Sequence, residues 1–481
     1  MELGRNVVRG VKWSFISQFG RQIFQFLTTA VLARLLSPKD IGLVGMALIV
    51  TGFLNIFRDL GTSAAIIQKK ETSAKFLNSI YLINITFGIC ATVLVYFSAP
   101  LISTWIFNEK RIAPILSALA FTFLLSSFGL INQALLEKKL DFNKVAKVEV
   151  TATFLGSLSG IVTAIWGFGV WSLVIQTLVT AGVSSFLYVI VSGWYPGFRI
   201  DLREIKDIFR FSANLTGFSV LNYFVRTADN FLIGRYLGAE SLGYYTFAYR
   251  LMLYPLQNIS SVISRVAFPF YSHIQNDNKK ISSTYLKIAV SIAIVTFPLM
   301  LGLMALSHEF VLTFFGGKWS NSIMVIVILA PVGLMQSIDS TTGSIYQSKG
   351  KTDWLFYWGI FSGVIFVLSF VIGLYWGING VAFAYLIANL ILLYPGFEIP
   401  FKLIGLRFIS LLSKLSKTFL LSVVMSLVII LFKYTVGQQL SVQWSLVFSV
   451  ILGVASYGFI SWFMNRDNLH YAVKLLKGTQ G

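Results

Sequence analysis

The chain has 481 residues, of which 56% are hydrophobic and only 12% are charged. Soluble globular domains carry about 25% charged residues, so this composition excludes a soluble protein and indicates one embedded in a membrane. The formal net charge of +19 would suggest nucleic acid binding in a soluble protein. Here the cations collect in short loops, where membrane orientation explains them, and we expect no nucleic acid partner.

Fourteen apolar segments are long enough to cross a bilayer, because about 20 helical residues span a hydrocarbon core of about 30 Å. Six of them precede a polar stretch at 195–210, and eight follow it. Their approximate bounds are 11–33, 41–67, 78–98, 112–136, 146–166, 169–194, 211–236, 240–269, 285–306, 320–347, 354–375, 378–401, 412–433 and 442–463. The sequence therefore predicts an all-α polytopic membrane protein.

Lys and Arg residues are concentrated in every second loop. These basic loops together hold 26 of the 38 cations, whereas the other loops hold seven. Since cationic loops stay on the cytoplasmic side during insertion, the basic loops are predicted to lie inside, and both termini with them. The remaining five cations fall within apolar segments and need a separate explanation.

An internal repeat divides the chain. Ala33-Arg-Leu-Leu-Ser-Pro-Lys-Asp-Ile-Gly42 is echoed 201 residues later by Gly234-Arg-Tyr-Leu-Gly-Ala-Glu-Ser-Leu-Gly243. Trp166-Gly-Phe-Gly-Val170 likewise recurs as Trp376-Gly-Ile-Asn-Gly-Val381. Two duplicated six-helix bundles form a parallel repeat, which is a known transporter construction. We predict a first lobe at 1–194, a cytoplasmic amphipathic linker at 195–210, a second lobe at 211–403, and two further helices with a tail at 404–481.

The five intramembrane arginines lie on polar stripes of the first two helices of each lobe. An ionised side chain facing lipid is costly, so these residues are expected to line a water-filled central cavity. The cations are Arg21, Arg58, Arg226, Arg250 and Arg265, and their polar companions are Gln18, Gln25, Asn55, Asn222 and Gln257. Because a guanidinium matches phosphate or carboxylate oxygens bidentately, the cargo is predicted to be anionic.

An alternative to cargo binding is that some of these cations have a structural role. Arg226 and Asp229 are spaced i, i+3 and could neutralise each other, and Arg265 could extend its charge to the cytoplasmic interface. Three carboxylates lie in or near the apolar segments, Asp59, Asp229 and Asp339. Each can pair with a cavity arginine or bind a coupling H⁺ or Na⁺. The sequence leaves both roles open for them.

Nothing in the sequence indicates an enzyme. Gly316-Gly-Lys-Trp319 lacks the upstream glycine and the following Ser or Thr of a P-loop. One cysteine and three scattered histidines give no metal-ligand spacing, so we predict no cofactor and no metal site. The loops predicted outside are too short to form a catalytic domain.

Six short motifs occur along the chain: Gly10-Val-Lys-Trp-Ser14, Val31-Leu-Ala-Arg-Leu-Leu36, Asp59-Leu-Gly-Thr-Ser-Ala-Ala-Ile-Ile-Gln-Lys-Lys70, Leu140-Asp-Phe-Asn143, Phe268-Pro-Phe-Tyr271 and Phe315-Gly-Gly-Lys-Trp-Ser320. They resemble motifs of lipid-linked oligosaccharide flippases in the polysaccharide transporter family, which belongs to the multidrug/oligosaccharidyl-lipid/polysaccharide (MOP) exporter superfamily. In pattern they are most similar to translocases of the colanic-acid and teichuronic-acid type.

The resemblance implies a bacterial inner-membrane flippase that moves undecaprenyl-diphosphate-linked oligosaccharides outward by alternating access. It implies that the diphosphate meets the cavity arginines, that the polyprenyl tail stays in lipid, and that a polysaccharide polymerase and its chain-length machinery are partners. The main alternative is a cation-coupled drug antiporter of the same superfamily, which would favour a cavity lined by carboxylates. A polytopic scaffold without transport activity is a third reading, but it leaves the cationic stripes unexplained.

Overall fold

The computed structural model describes residues 24–58, 62–69, 72–197, 206–256 and 261–464. Within these ranges nearly all residues are helical, and no β-strand occurs. A π-helical turn, Ile102–Ile106, extends the fourth helix. The helices α1 to α18 are Phe24–Leu35, Pro38–Arg58, Thr62–Gln68, Ala74–Leu101, Ile112–Ser127, Leu130–Lys138, Phe142–Ile165, Trp171–Ser192, Lys206–Pro255, Ser261–His273, Asn278–Ala305, Ser307–Phe314, Asn321–Asp339, Gly343–Ser348, Thr352–Gly373, Gly377–Lys402, Phe408–Thr435 and Val442–Met464.

The predicted fold class is confirmed: the chain is an all-α polytopic membrane protein. By length and composition, nine helical stretches in the described ranges can cross a membrane, or ten if one bent pair is counted as a single span. One of the nine, Thr352–Lys402, is 51 residues long and contains both α15 and α16. Each of the fourteen predicted segments overlaps at least one helix, so the structure is consistent with fourteen spans.

Some predicted segments are not continuous helices. The segment predicted at 112–136 is broken into α5 and α6, which bend by 42°. Two serines, a phenylalanine and Gly129 lie at this break, and Gly/Ser pairs are a common cause of sharp kinks. The amphipathic helix predicted at 200–209 falls largely outside the described residues, and helix is seen only from Lys206.

The chain divides into two compact units, Met1–Gly243 and Tyr244–Gly481. In the first unit, α4 packs along α5, α7 packs along α8, and α5 also contacts α8. Small side chains allow these close approaches. Thr92 of α4, for example, donates a hydrogen bond of 3.0 Å to the carbonyl of Ala120 in α5.

In the second unit, α11 contacts both α13 and α17, and α16 contacts α13 and α15. An apolar cluster in this unit joins α10, α11, α16 and α17 around the buried residues Tyr285, Phe397 and Phe401. The helices α17 and α18 pack on each other and on α11. Tyr457 of α18 donates a 3.0 Å hydrogen bond to the carbonyl of Ile294.

Helix α2 begins with a capping box. The backbone N–H of Asp40 donates to Ser37 Oγ at 3.2 Å, while the N–H of Ser37 donates to Asp40 Oδ2 at 3.1 Å. Pro38 occupies the first helical position, where it loses no intrahelical hydrogen bond. The reciprocal bonds satisfy backbone donors that would otherwise be unpaired, so α2 starts sharply at this point.

The helix is also interrupted at the position of the second repeat that is equivalent to Ser37. Gly238, which lies 201 residues after Ser37, has φ 85° and ψ 176° and interrupts α9. This conformation is readily accessible only to glycine. Helix α9 therefore contains two separate rods, 206–237 and 239–255, which agrees with the sequence prediction of two spans in this range.

Two glycines of the repeat meet where α2 crosses the first turn of the second rod. A methyl group added at Gly42 would overlap the carbonyl oxygen of Ala239, and one added at Gly243 would overlap that of Pro38. Gly42 and Gly243 are equivalent positions, as are Pro38 and Ala239. The contact is thus reciprocal, and small residues permit this close crossing of two helices.

Candidate functional site

The polar stripe predicted on α2 is present and locally hydrogen-bonded. Asn55 is exposed and donates through Nδ2 to the carbonyl of Thr51 at 3.0 Å. Thr51 in turn donates to the carbonyl of Ala47 at 3.2 Å. Arg58 is half-buried at the last residue of the helix. Asp59, the next residue, lies outside the described ranges.

The stripe on the first rod of α9 separates into two environments. Asn222 and Arg226 are exposed, whereas Asp229 is only 2% exposed. Asp229 accepts a 2.7 Å hydrogen bond through Oδ1 from the backbone N–H of Asn230. The two residues, spaced i, i+3, therefore differ in exposure, and a role of Arg226 in a cavity stays a prediction.

These two stripes belong to helices that touch within the first unit. Tyr223 donates a 2.6 Å hydrogen bond to the carbonyl of Ile49, and its ring lies 6.1 Å from that of Phe53. Because Gly42 meets Ala239 farther along, the two helices run antiparallel. Arg58 follows this contact along α2, and Arg226 follows it along the first rod of α9, so the two cations lie on opposite sides of it.

The other predicted cavity residues are described only in part. Gln25 of α1 and Arg250 of the second unit are both exposed. Arg265 lies in α10, but its side chain is not described, and Arg21, Gln18 and Gln257 lie outside the described ranges. Of the five predicted arginines, the described geometry relates only Arg58 and Arg226 to one another.

A pocket in the second unit surrounds Asp339. Its cavity of about 70 Å³ lies where α13, α15 and α16 meet. The polar groups at its wall are Asp339, Gln336, Ser362 and Asn389, and Trp358 closes one side. In the described residues, no Lys, Arg or His forms an ion pair with the Asp339 carboxylate. The alternative in which Asp339 pairs with a cavity arginine therefore finds no support there.

Sequence reasoning missed two polar residues that line the pocket around Asp339, and one partly buried ion pair. Asn389 and Ser362 are isolated polar residues in long apolar helices, so no stripe marks them. Lys433, in the last turn of α17, has its Nζ 2.9 Å from Glu309 Oε2. A polar residue that interrupts an apolar segment is the only sequence signal available for either case.

Together, the apolar helices and the reciprocal glycine crossing define a polytopic membrane protein with an internal repeat. The solved structure of the lipid II flippase MurJ in an inward closed conformation superposes with a TM-score of 0.76. The match covers 95% of this chain and 100% of the MurJ chain at 18% sequence identity, and it shows the fold.

The family follows from sequence. The family model for polysaccharide biosynthesis proteins matches residues 31–324. Teichuronic acid biosynthesis protein TuaB of Bacillus subtilis (strain 168) is 30% identical over 465 residues, which is 95% of both chains. Lipopolysaccharide biosynthesis protein WzxC of Escherichia coli (strain K12) is 30% identical over 379 residues, or 78% of this chain and 76% of WzxC. The chain belongs to the polysaccharide biosynthesis protein family, whose members of this type are transporters and not enzymes.

Proposed function

We propose that this protein flips undecaprenyl-diphosphate-linked oligosaccharides from the cytoplasmic to the outer leaflet of a bacterial inner membrane. The flipped units would then supply the biosynthesis of a cell-surface polysaccharide. The observation that carries the proposal is the full-length similarity to TuaB, a protein named for teichuronic acid biosynthesis. The fold shared with a lipid II flippase supports a lipid-linked cargo. Both termini are proposed to be cytoplasmic.

The arginines give this cargo a chemical basis. Arg58 is half-buried and Arg226 is exposed, and the two residues lie on apolar helices that touch each other. A guanidinium binds phosphate oxygens through paired hydrogen bonds and remains charged at any physiological pH. We propose that Arg21, Arg58, Arg226, Arg250 and Arg265 bind the diphosphate, with Gln18, Gln25, Asn55, Asn222 and Gln257 solvating the glycan.

Arg58 and Arg226 lie on opposite sides of the contact between their helices, which suggests two successive positions for the diphosphate. Movement of the diphosphate from one residue to the other would cross part of the bilayer. The polyprenyl tail would remain in lipid throughout. A polymerase and its chain-length machinery are proposed to receive the cargo on the outer side.

The experiment is flipping of a labelled polyprenyl-diphosphate oligosaccharide in proteoliposomes. Arg58→Ala should reduce the initial rate at least ~10-fold, since about 1.4 kcal/mol of lost interaction corresponds to that factor. Arg58→Lys keeps the charge but loses the paired hydrogen bonds, so it should give an intermediate rate.

The matched control is Arg407→Ala, which removes a cation from the loop before α17. It should flip the lipid at the wild-type rate. If Arg58→Ala also flips at that rate while folding normally, Arg58 does not bind the diphosphate and this part of the proposal fails.

A further inference from the structure

A cavity of about 260 Å³ lies at the end of the first unit that the charge pattern predicts to face outside. The helices α2, α5 and α8 all begin beside it, and its wall includes Asp40, Arg111, Phe168 and Trp171. Pockets for drug-sized ligands measure about 300–1,000 Å³, so this cavity suits a single small ring. The proposed diphosphate site uses none of these four residues.

The two charged residues of this wall approach each other without forming a hydrogen bond. Arg111 Nη2 lies 3.8 Å from Asp40 Oδ1, which is too long for one. Asp40 Oδ2 accepts from the backbone N–H and the hydroxyl of Ser37 at 3.1 and 2.6 Å, whereas Oδ1 has no hydrogen-bond donor among the described residues. A group that accepts from the guanidinium and donates to Oδ1 can bridge this gap, and a hydroxyl does both.

Two aromatic rings complete the wall beside this pair. The Phe168 side chain is 50% exposed and that of Trp171 is 39% exposed. Gly167 and Gly169 have φ of 83° and 55°, a conformation that favours glycine, so the loop between α7 and α8 turns on both sides of Phe168. The negative face of an aromatic ring attracts slightly positive C–H groups. The cavity therefore offers an apolar platform next to a pair of groups that a hydroxyl can bridge.

The second repeat keeps the loop but not these side chains. Its matching loop ends at Val381 and is followed by Ala382, whereas the loop of the first repeat is followed by Trp171. The residue 201 positions after Asp40 is Ser241. The repeated fold therefore requires neither the indole nor the carboxylate, which points to a role for them outside the fold.

A bound anion fits this cavity less well, although three helices begin there. Helix N-termini bind anions through free backbone N–H groups. The N–H of Asp40 already donates to Ser37 Oγ at 3.2 Å. The N–H of Trp171 donates to the carbonyl of Phe168, also at 3.2 Å, and Pro114 at the start of α5 has no N–H. The Asp40 carboxylate would also repel a phosphate.

From this arrangement we infer that the cavity binds one pyranose ring of a saccharide. The C–H face of the sugar stacks on the indole of Trp171, with Phe168 beside it. One sugar hydroxyl accepts from the Arg111 guanidinium and donates to Asp40 Oδ1. The site would thus hold a sugar at the predicted outer end of the first unit. That this sugar belongs to the transported lipid rests on the proposed function, but the binding itself does not.

The test is saturation-transfer NMR of methyl hexopyranosides with the purified full-length protein in lipid nanodiscs. The gluco, galacto and manno epimers are titrated separately, because a hydroxyl bridge depends on stereochemistry. The wild type should bind at least one epimer saturably, and Trp171→Ala should lose at least ~10-fold in affinity. Trp166→Ala is the matched control, since it removes a 71% exposed indole from the same loop but outside the cavity wall. That variant should bind the sugar as the wild type does.

A second variant tests the hydroxyl bridge without disturbing the packing. The Arg111 side chain is 52% exposed, so Arg111→Gln should stay folded and weaken sugar binding by ~3- to 10-fold. Unchanged affinity in both Trp171→Ala and Arg111→Gln overturns the inference. So does the absence of binding of all three epimers to the wild type, or saturable binding of inorganic phosphate in their place.

The two proposals fail in different ways. Wild-type protein that binds a hexopyranoside but flips no polyprenyl-diphosphate oligosaccharide in proteoliposomes retains this site and loses the proposed function. Protein that flips the lipid and binds no hexopyranoside retains the function and loses the site. If the sugar belongs to the cargo, Trp171→Ala should slow flipping ~3- to 10-fold and Trp166→Ala should not. Flipping at the wild-type rate by Trp171→Ala contradicts that assignment to the cargo.

Discussion

Lys433 shows how one residue can connect two parts of the second unit. Its Nζ lies 2.9 Å from Glu309 Oε2 and donates to the carbonyl of Ala305 at 2.8 Å. The two side chains are only 22% and 10% exposed. Because Ala305 ends α11 and Glu309 lies in α12, this ion pair fixes the end of α17 against both helices.

Removing one partner of this pair should destabilise the protein. Lys433→Met would leave the Glu309 carboxylate buried without its cation, at a cost of ~1–3 kcal/mol after allowance for the partial exposure of Lys433. Thermal unfolding in detergent should show a lower Tm than that of the wild type.

The double variant Lys433→Met/Glu309→Leu is the control for this prediction. It replaces both charges by apolar groups, so it should recover much of the lost stability. A single variant with the Tm of the wild type would show that the pair contributes no stability.

At the scale of elements, the crossing of α2 with the second rod of α9 depends on two glycines. Gly42 and Gly243 each face a backbone carbonyl at the start of the other helix, and neither leaves room for a methyl group. A backbone carbonyl cannot rotate away as a side chain can, so any larger residue must separate the helices. The crossing lies at the end of α2 that the charge pattern places outside.

Gly42→Val should therefore disrupt the crossing. We expect a lower Tm and a flipping rate reduced at least ~10-fold, because the helices can no longer approach at this point. Both quantities can be measured on the same purified preparation.

Gly359→Ala is the matched control, since a methyl group at Gly359 of α15 meets nothing within 4 Å. It should be neutral or slightly stabilising, as alanine favours a helix over glycine by ~1 kcal/mol. A Gly42→Val protein with wild-type stability and flipping would mean that the crossing is not required.

At the scale of the whole molecule, the charge pattern predicts which loops face the cytoplasm. The lobes at 1–194 and 211–403, the linker at 195–210 and the final segment at 404–481 also remain predictions. The repeat supports them through its equivalent breaks at Ser37 and Gly238. The compact units divide at Gly243, because the start of the second rod of α9 packs on α2.

Membrane-impermeant maleimide labelling of intact cells tests this topology. In a Cys90→Ser background, which removes the native thiol, Lys110→Cys should be labelled from outside, whereas Lys139→Cys should be labelled only after permeabilisation. Both positions are exposed in loops or helix ends. The reverse pattern would invert the predicted orientation.

The sequence predicts the helices and two of their ends well, because both are local properties. Apolar length marks the spans, and Ser37-Pro38 and Gly238 mark the points where the chain leaves a helix. The bend between α5 and α6 was not predicted, since small residues within an apolar segment do not by themselves show whether it kinks.

The site is less predictable than the helices because its residues converge from distant parts of the chain. Arg58, Arg226 and Asp339 are visible as charges within apolar segments. The oxygens of Ser362 and Asn389 are not, since isolated polar residues recur throughout these helices and only packing selects the ones that face Asp339. The partner of Lys433 was missed for the same reason.

The most direct test of the central claim compares three cargoes in proteoliposomes that contain the wild-type protein. They are a polyprenyl-diphosphate oligosaccharide, the same glycan on a polyprenyl alcohol without phosphate, and a cationic dye. The account predicts flipping of the diphosphate lipid and neither of the others. Export of the dye against an ion gradient, with no movement of the diphosphate lipid, would contradict it and identify a drug antiporter.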